Sequence, residues 1–529
     1  MWGWVMSGFR RFVGNALVLV GAALLMRSVS LLFSAYVSRT VGAEGMGLFA
    51  LAMSVYGFAV TFATSGISLA VTRLCAAALG ENDAPRLRAV LRRAVAYAFF
   101  FGGVASLTLL LFAAPIGTCL LRDARTVPSL RLLGCSLVPI ALSSVFSGYF
   151  SAVRRVVRSA MTQMFEQAVR IFLTVLGLLA FAPKGIEYAC LALVGGSALA
   201  EFCSFFFLLC EYLIDRRRHF RGVRVAAAPG LFSELLRAAL PVAVSAYVRS
   251  GLVTVEHILI PLCLLAKGGS RAEALASYGV LHSMAIPFIL YPTAVSSVFA
   301  GLLVPEMAEC HATGKKARIR YMTTRALRYT LLFSVLCAGV LGALSDEIGM
   351  LFYASREAGV YIRYLAPVVV IMYLDTTVDC ILKGLGYQVY CMGVNIADSL
   401  LSVLLVAVLL PRTGAIGYVA VITVSELVNF SLSITRLHRV VGFPFSPYRF
   451  LIAPLLAVVG ATSLVRLVLP YAGDFLGFAL QLLFLLLLYA LLLWLLGAVP
   501  RKERAWLSTL FSNSDAASLT NKKECGKIG

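Results

Sequence analysis

The chain has 529 residues, of which 60% are hydrophobic and 13% charged, with a mean hydropathy of +0.90. That is more apolar surface than a water-soluble fold can bury, so soluble classes are excluded and the chain must dissolve in lipid. A net charge of +21 would suggest nucleic acid as the partner of a soluble protein, but in a membrane chain the distribution of the charge between loops is what informs.

Arg10 and Arg11 precede the first apolar stretch, which lacks a small-residue cleavage site and continues into Arg27, so a retained first helix is expected rather than a signal peptide. Apolar runs predict fourteen spans in chain order, at 13–37, 48–72, 94–118, 127–150, 159–182, 187–213, 238–265, 277–304, 326–350, 360–382, 388–410, 414–436, 448–470 and 475–499. A run such as FALQLLFLLLLYALLLWLLGAV (478–499) is uncharged over the roughly twenty residues that cross a hydrocarbon core about 30 Å thick. Backbone amides in hydrocarbon must be satisfied internally, and long unbroken runs rather than ten-residue alternations exclude a barrel. The expected fold class is an all-α polytopic membrane protein.

Alternate loops carry 32 and 11 of the Lys and Arg residues, and three Arg lie within spans. The richer side holds both termini, so a multi-pass protein of the cytoplasmic membrane with both ends in the cytoplasm is expected. Arg216, Arg217, Arg218, Lys315, Lys316 and Arg318 then face anionic headgroups. The longest polar connections, 214–237 and 306–325, and the polar tail from Arg501 suggest an N-lobe over 1–220 and a C-lobe over 221–440. A pair of helices over 441–500 and a cytoplasmic tail over 501–529 complete the division. A weak parallel repeat supports two six-helix halves: Arg27 and Arg249 occupy similar depths in the first helix of each, and PKGIEY (183–188) echoes PRTGAIGY (411–418). The twelve Cys fall mostly in apolar spans, with no two at metal-ligand spacing, so neither a zinc site nor a disulfide framework is expected.

Three stretches stand out in chain order: SRTVGAEGMGLFALAMSVYGFAVTFATSGISLAVTRL (38–74), SGYFSAVRRVVRSAMTQMFEQAVRI (147–171) and YGVLHSMAIPFILYPTAVSSVFAGLLVPEMAE (278–309). In this order they resemble the polysaccharide-export branch of the multidrug/oligosaccharidyl-lipid/polysaccharide flippase superfamily, and within it the stage V sporulation protein B group. The resemblance covers roughly 13–440. It implies two lobes opening alternately to either membrane face, a central cavity for an undecaprenyl-linked headgroup, and a groove near the last two helices for the lipid tail. One departure bears on substrate: lipid II flippases of this superfamily carry several clustered Arg in and just after their first helix, whereas here Arg27 is followed by Arg39 at the far interface.

A charge in mid-bilayer costs about 2.5 kcal/mol or more, so an ionisable group within a span is expected to face a cavity or a partner. Arg27 could grip a pyrophosphate through paired hydrogen bonds or serve as a gating contact; the plainer account is a structural salt bridge to a neighbouring helix. Glu166 and Arg170, four apart, can pair with each other. Arg249 and Glu256, seven apart, share a face about 10 Å apart, so each needs a partner elsewhere, and His257 reads as a packed or hydrogen-bonded side chain. Asp379 and Lys383 should pair, leaving Asp375, Asp398 and Glu426 as candidates for a coupling proton or sodium ion, with inter-helix hydrogen bonding as the plainer account; Glu201 is weighed alike. Pro241, Pro287 and Pro292 are expected to interrupt the seventh and eighth helices.

These residues favour a transporter over an enzyme: a flippase moving a lipid-linked sugar precursor, with Arg27, Arg249, Glu256, Glu166 and Arg170 as cavity candidates. A cation-coupled multidrug or metabolite antiporter predicts twelve helices and an acidic cavity. A membrane glycosyltransferase or ligase predicts a large outer loop, which is absent from the predicted spans. No Gly-rich nucleotide loop occurs, and no cofactor or metal is expected beyond coupling to Na+, H+ or the membrane potential. The expected partners are the lipid-linked substrate and membrane lipids, not nucleic acid, around a monomer.

Overall fold

The computed structural model describes residues 2–81, 83–153, 155–219, 230–266, 268, 270–444, 448–469 and 473–497. The tail from Arg501 lies outside the described residues, as do 220–229 of the connection after the sixth predicted span and the side chain of Arg218. Among the described residues the structure is helical and contains no strand.

The first half comprises α1 (Trp2–Thr64), α2 (Ile67–Gly80), α3 (Ala84–Pro115), α4 (Val127–Ala152), α5 (Val156–Phe181) and α6 (Ile186–His219). The second begins with α7 (Leu231–Ala266), α8 (Arg271–Gly279), α9 (Ile286–Ile289), α10 (Thr293–Ala312) and α11 (Lys316–Ala343). It continues with α12 (Ser345–Tyr353), α13 (Arg356–Leu365), α14 (Val368–Gly384), α15 (Gln388–Thr413) and α16 (Ala415–Val441). Two more helices, α17 (Ala453–Val468) and α18 (Phe475–Leu495), pack on each other, with α17 also against α11. Polar residues between apolar runs start several of these helices. Asp83 accepts from the Arg86 amide, Ser270 and Glu273 form a reciprocal capping box, and Asp474 accepts from the Gly477 amide.

Contacts between helices fall into two groups. Helices α2 to α6 pack among themselves and α10, α11 and α14 to α16 among themselves, while α1 bridges to α7, α8 and α10. Their outward faces are apolar, Phe172 being 63% and Leu467 81% exposed, as lipid contact requires.

Length and apolarity alone do not reach the expected fourteen spans: among the described residues ten helices are long and apolar enough to cross a membrane, or twelve if each of two bent pairs is one span. The first two expected spans share one helical run, Leu24–Gly80, and the thirteenth is the short helix Ala453–Val468. That first run is nevertheless bent back. Gly42 has φ 78° and ψ 173°, outside the helical region, and Ser34 and Met46 on either side of it both reach Ser283.

Prolines account for part of the bending, though not at every expected position. Pro292 lies in the turn between α9 and α10, where the chain bends by 55°, and Pro287 opens the single turn of α9. Pro241 does not interrupt its helix: α7 runs through it unbroken. The expectation overlooked Pro367, which sits at a 56° bend between α13 and α14. A proline removes an amide donor without dictating a break, and α7 continues through the exposed Pro241.

Candidate functional site

Between the halves lies a cavity of about 550 Å³, walled by α1 on one side and by α7 and the chain around Ser283 on the other. Its polar lining consists of hydroxyls, Ser34, Ser54, Thr61, Ser250, Thr254 and Ser283, with His257 and His282. Cross-lobe hydrogen bonds run alongside it, from Ser250 to Thr61 at 3.2 Å and from Thr254 to the Ser54 carbonyl at 3.1 Å. His257 is packed and hydrogen-bonded as expected, its Nδ1 3.0 Å from the Tyr278 hydroxyl. It is not alone, however: the ring of His282, on the π-helical turn Val280–Ala285, lies 4.2 Å away. No sequence spacing marks this pair, because its members sit on different helices.

Two glycines seal the end of this cavity away from the N-terminus. A Cβ on Gly47 would lie 2.0 Å from the Leu275 carbonyl oxygen, and one on Gly279 would lie 2.2 Å from that of Ala43. Backbone therefore meets backbone across the two halves, a contact that a side chain at either position forbids. An ion-pair network closes the same end. Arg271 on α8 donates through Nε to Asp123 at 3.2 Å and through Nη2 to the Leu121 carbonyl at 2.6 Å. Arg125 donates to Asp123 at 2.9 and 3.0 Å and to Glu44 at 2.8 Å. Sequence reasoning overlooked this latch, since its residues read as ordinary loop charges.

Burial opposes the charge on Asp123, but hydrogen bonds from the Arg125 side chain and amide, together with Arg271, outweigh it and hold the carboxyl below its ordinary value. A depressed carboxylate contributes stability that is complete above its unfolded value, near 3.9, and is lost only as pH falls through the lower folded value. The latch should therefore be insensitive to pH between about 5 and 8. Arg271→Ala should instead loosen it, raising the labelling of a cysteine placed at Ser54, in a cysteine-free background, by an impermeant maleimide from that side about fivefold. Unchanged labelling would show that the glycine contact alone seals this end.

A second cavity, of about 200 Å³, lies within the second half and shares Val253 of α7 with the first. It brings together four of the residues singled out in the sequence, Arg249, Glu256, Asp398 and Glu426. Buried Glu256 accepts hydrogen bonds from Ser402 at 2.6 Å and Tyr418 at 3.0 Å. Asp398 accepts one from Ser425. Arg249 is exposed and within electrostatic reach of Asp398 and Glu426, but pairs directly with neither. Asp375 stands outside this lining, its carboxylate accepting from Asn429 at 3.2 Å. Three carboxylates thus share one small chamber with a single guanidinium. Like charges so close in a low-dielectric interior repel strongly, an imbalance that a proton or small cation can offset.

The remaining candidates lie apart. Glu166 and Arg170 pair, as their spacing allows, but Arg170 also approaches Glu201 at 3.6 Å and Glu166 accepts from Ser204 at 3.3 Å, so this is a bridge between α5 and α6. Asp379 and Lys383 pair at 3.0 Å. Arg27 has no acidic partner among its hydrogen bonds. It donates to the Leu290 carbonyl and to the Thr293 hydroxyl at 2.8 Å, at the bend before α10, while the adjacent Ser28 hydroxyl lies 2.7 Å from that of Tyr291. The Leu290 carbonyl also accepts from the Thr293 hydroxyl at 2.6 Å and from the Thr293 amide at 3.2 Å, so the guanidinium joins bonds that already close this turn. Among the described residues no group of three His, Cys, Asp or Glu could hold a metal ion.

The model of a family described as polysaccharide biosynthesis protein matches residues 12–299. The chain belongs to that family. Among its relatives is the stage V sporulation protein B of Bacillus subtilis (strain 168), 26% identical over 425 residues, covering 79% of this chain and 82% of that protein. In three dimensions the fold is that of the lipid II flippase MurJ in an inward closed conformation. The TM-score is 0.71 at 14% identity, over 90% of this chain and 98% of the other. An inward-facing multidrug resistance MATE family transporter of the MOP superfamily shares the fold at a TM-score of 0.59, with 14% identity over 80% of this chain and 98% of that one. These likenesses are of fold, and both cavities lie in the interior of that fold.

Proposed function

We propose that this chain is a flippase that moves an undecaprenyl-linked oligosaccharide or polysaccharide precursor, similar in kind to lipid II, across the cytoplasmic membrane by alternating access. The observation that carries the proposal is Arg249, a guanidinium exposed to a chamber that adjoins the inter-lobe cavity and in direct ion pair with no acid there. A planar fork of N–H donors suits a pyrophosphate. The family match and the structural likeness to a lipid II flippase support the reading. Arg27 acts as a gating contact in this scheme, because releasing the Leu290 carbonyl frees the bend that ties α1 to α10. Arg170, shared by Glu166 and Glu201, ties α5 to α6. In this reading both termini lie in the cytoplasm and the latched end outside, a sidedness that the basic loops support.

A second reading, a cation-coupled multidrug or metabolite antiporter, is favoured by the acidic chamber and by the MATE likeness. In either case Asp398 and Glu426, with Asp375 nearby, are the proposed sites for a coupling proton or sodium ion. Reconstitution separates the readings. Purified protein in proteoliposomes should move a fluorescent undecaprenyl-pyrophosphate sugar outward, with a sodium or proton dependence that weakens at least threefold in Asp398→Asn. Uptake of cationic dyes without movement of the lipid-linked sugar would reject the flippase and support the antiporter.

A further inference from the structure

A third cavity, of about 590 Å³, opens on the flank of the second half and shares no lining residue with the inter-lobe cavity or the acidic chamber. Its walls are α10 and α11, each packed closely on α14 but only loosely on the other, so a V-shaped groove separates them. The depth is apolar, with Phe299, Leu303 and Phe333 along it. The mouth is cationic and aromatic. Arg325 donates to the hydroxyls of Tyr321 at 2.7 Å and Tyr329 at 3.2 Å, with its guanidinium carbon 5.6 and 5.5 Å from their ring centroids. Arg318 pairs with Glu306 across the gap.

Length and charge together identify an occupant. From Arg318 to Phe333 the α11 wall rises about 22 Å at 1.5 Å per residue, close to half of the 40–45 Å thickness of a bilayer with its headgroups. The groove therefore spans one leaflet, with its polar end at the interface. At that end Lys315 caps α11 and its first turns carry Lys316, Arg318 and Arg320 before Arg325, against Glu306 and Glu309 on α10. Exposed cations at a headgroup interface select anionic lipid, and tyrosines settle at the same depth.

We propose that the α10–α11 groove binds one anionic glycerophospholipid of the adjacent leaflet, an acyl chain lying along Phe299, Leu303 and Phe333 and the phosphate held at Arg318 and Arg325. The site is separate from the transport route. A bound lipid wedges α11 away from α10, the helix that follows the Arg27 bend, so it couples the composition of that leaflet to the movement of α10.

The test uses the full-length protein in phosphatidylcholine nanodiscs containing a trace of phosphatidylglycerol with a diazirine in its acyl chain. Photolabel is expected on peptides containing Phe299, Leu303 or Phe333, competed at least tenfold better by unlabelled phosphatidylglycerol than by added phosphatidylcholine. Arg318→Ala with Arg325→Ala should lower labelling about tenfold, and Ala326→Trp, which fills the groove and keeps its charges, should abolish it. Competition on the wild-type protein makes the test independent of whether the variants fold. Equal competition by both phospholipids, labelling indifferent to the arginines, or preferential displacement by undecaprenyl phosphate would overturn the proposal, the last by giving the groove to the carrier lipid.

Discussion

Arg249→Ala is expected to lower movement of the lipid-linked sugar in proteoliposomes by about 10- to 100-fold. Hydrogen bonds to charged groups contribute about 1.5–3 kcal/mol each, and every 1.4 kcal/mol is a factor of ten. Arg249→Lys should fall between, because an ammonium keeps the charge but not the two-pronged geometry. The alanine variant also leaves Glu256, Asp398 and Glu426 without their cation, so its sodium or proton dependence should steepen while transport falls. Wild-type rates in Arg249→Ala would remove the anion-contact role, though the fold would stand.

Gly279→Val should have a comparably large effect by a different route. Its Cβ would meet the Ala43 carbonyl at 2.2 Å and the Gly47 amide at 2.6 Å, both backbone atoms that cannot rotate aside. Overpacking of a close contact costs typically 1–3 kcal/mol, and here the cost falls only on the state in which this end is shut. The closed-to-open ratio should drop about 5- to 100-fold, read as maleimide labelling of the Ser54 cysteine from the latched side. Transport should decline because that end no longer reseals. Labelling at the wild-type level would mean that the halves do not separate along this seam during the cycle. Gly279→Val and Arg271→Ala together should exceed either alone, since the two contacts close the same end through different atoms.

Several features of the interior were legible in the residue order. Arg249, Glu256, Asp398 and Glu426 were identifiable because charge in an apolar run is costly enough to require a reason, and the structure gathers all four in one chamber. The Asp379–Lys383 and Glu166–Arg170 pairs followed from helical spacing. Arg27 was equally visible as an anomaly, but its partners lie 263 and 266 residues away at a bend, and nothing in its own helix announces them. The Arg271–Asp123 latch was invisible for the opposite reason: at the ends of spans, charges are ordinary. Length and apolarity by themselves do not confirm the fourteen spans, because the folded-back first run counts once and α17 is short.

Residue order alone settled that this chain lives in lipid, that it is helical, and which side chains sit where a charge does not belong, because the hydrocarbon imposes length and polarity on each helix separately. Packing alone decided what those side chains touch. Whether a buried guanidinium meets a carbonyl, a carboxylate or an open chamber depends on where helices bend and which glycines let two backbones close together. Those are relations between segments hundreds of residues apart, and no local pattern encodes them.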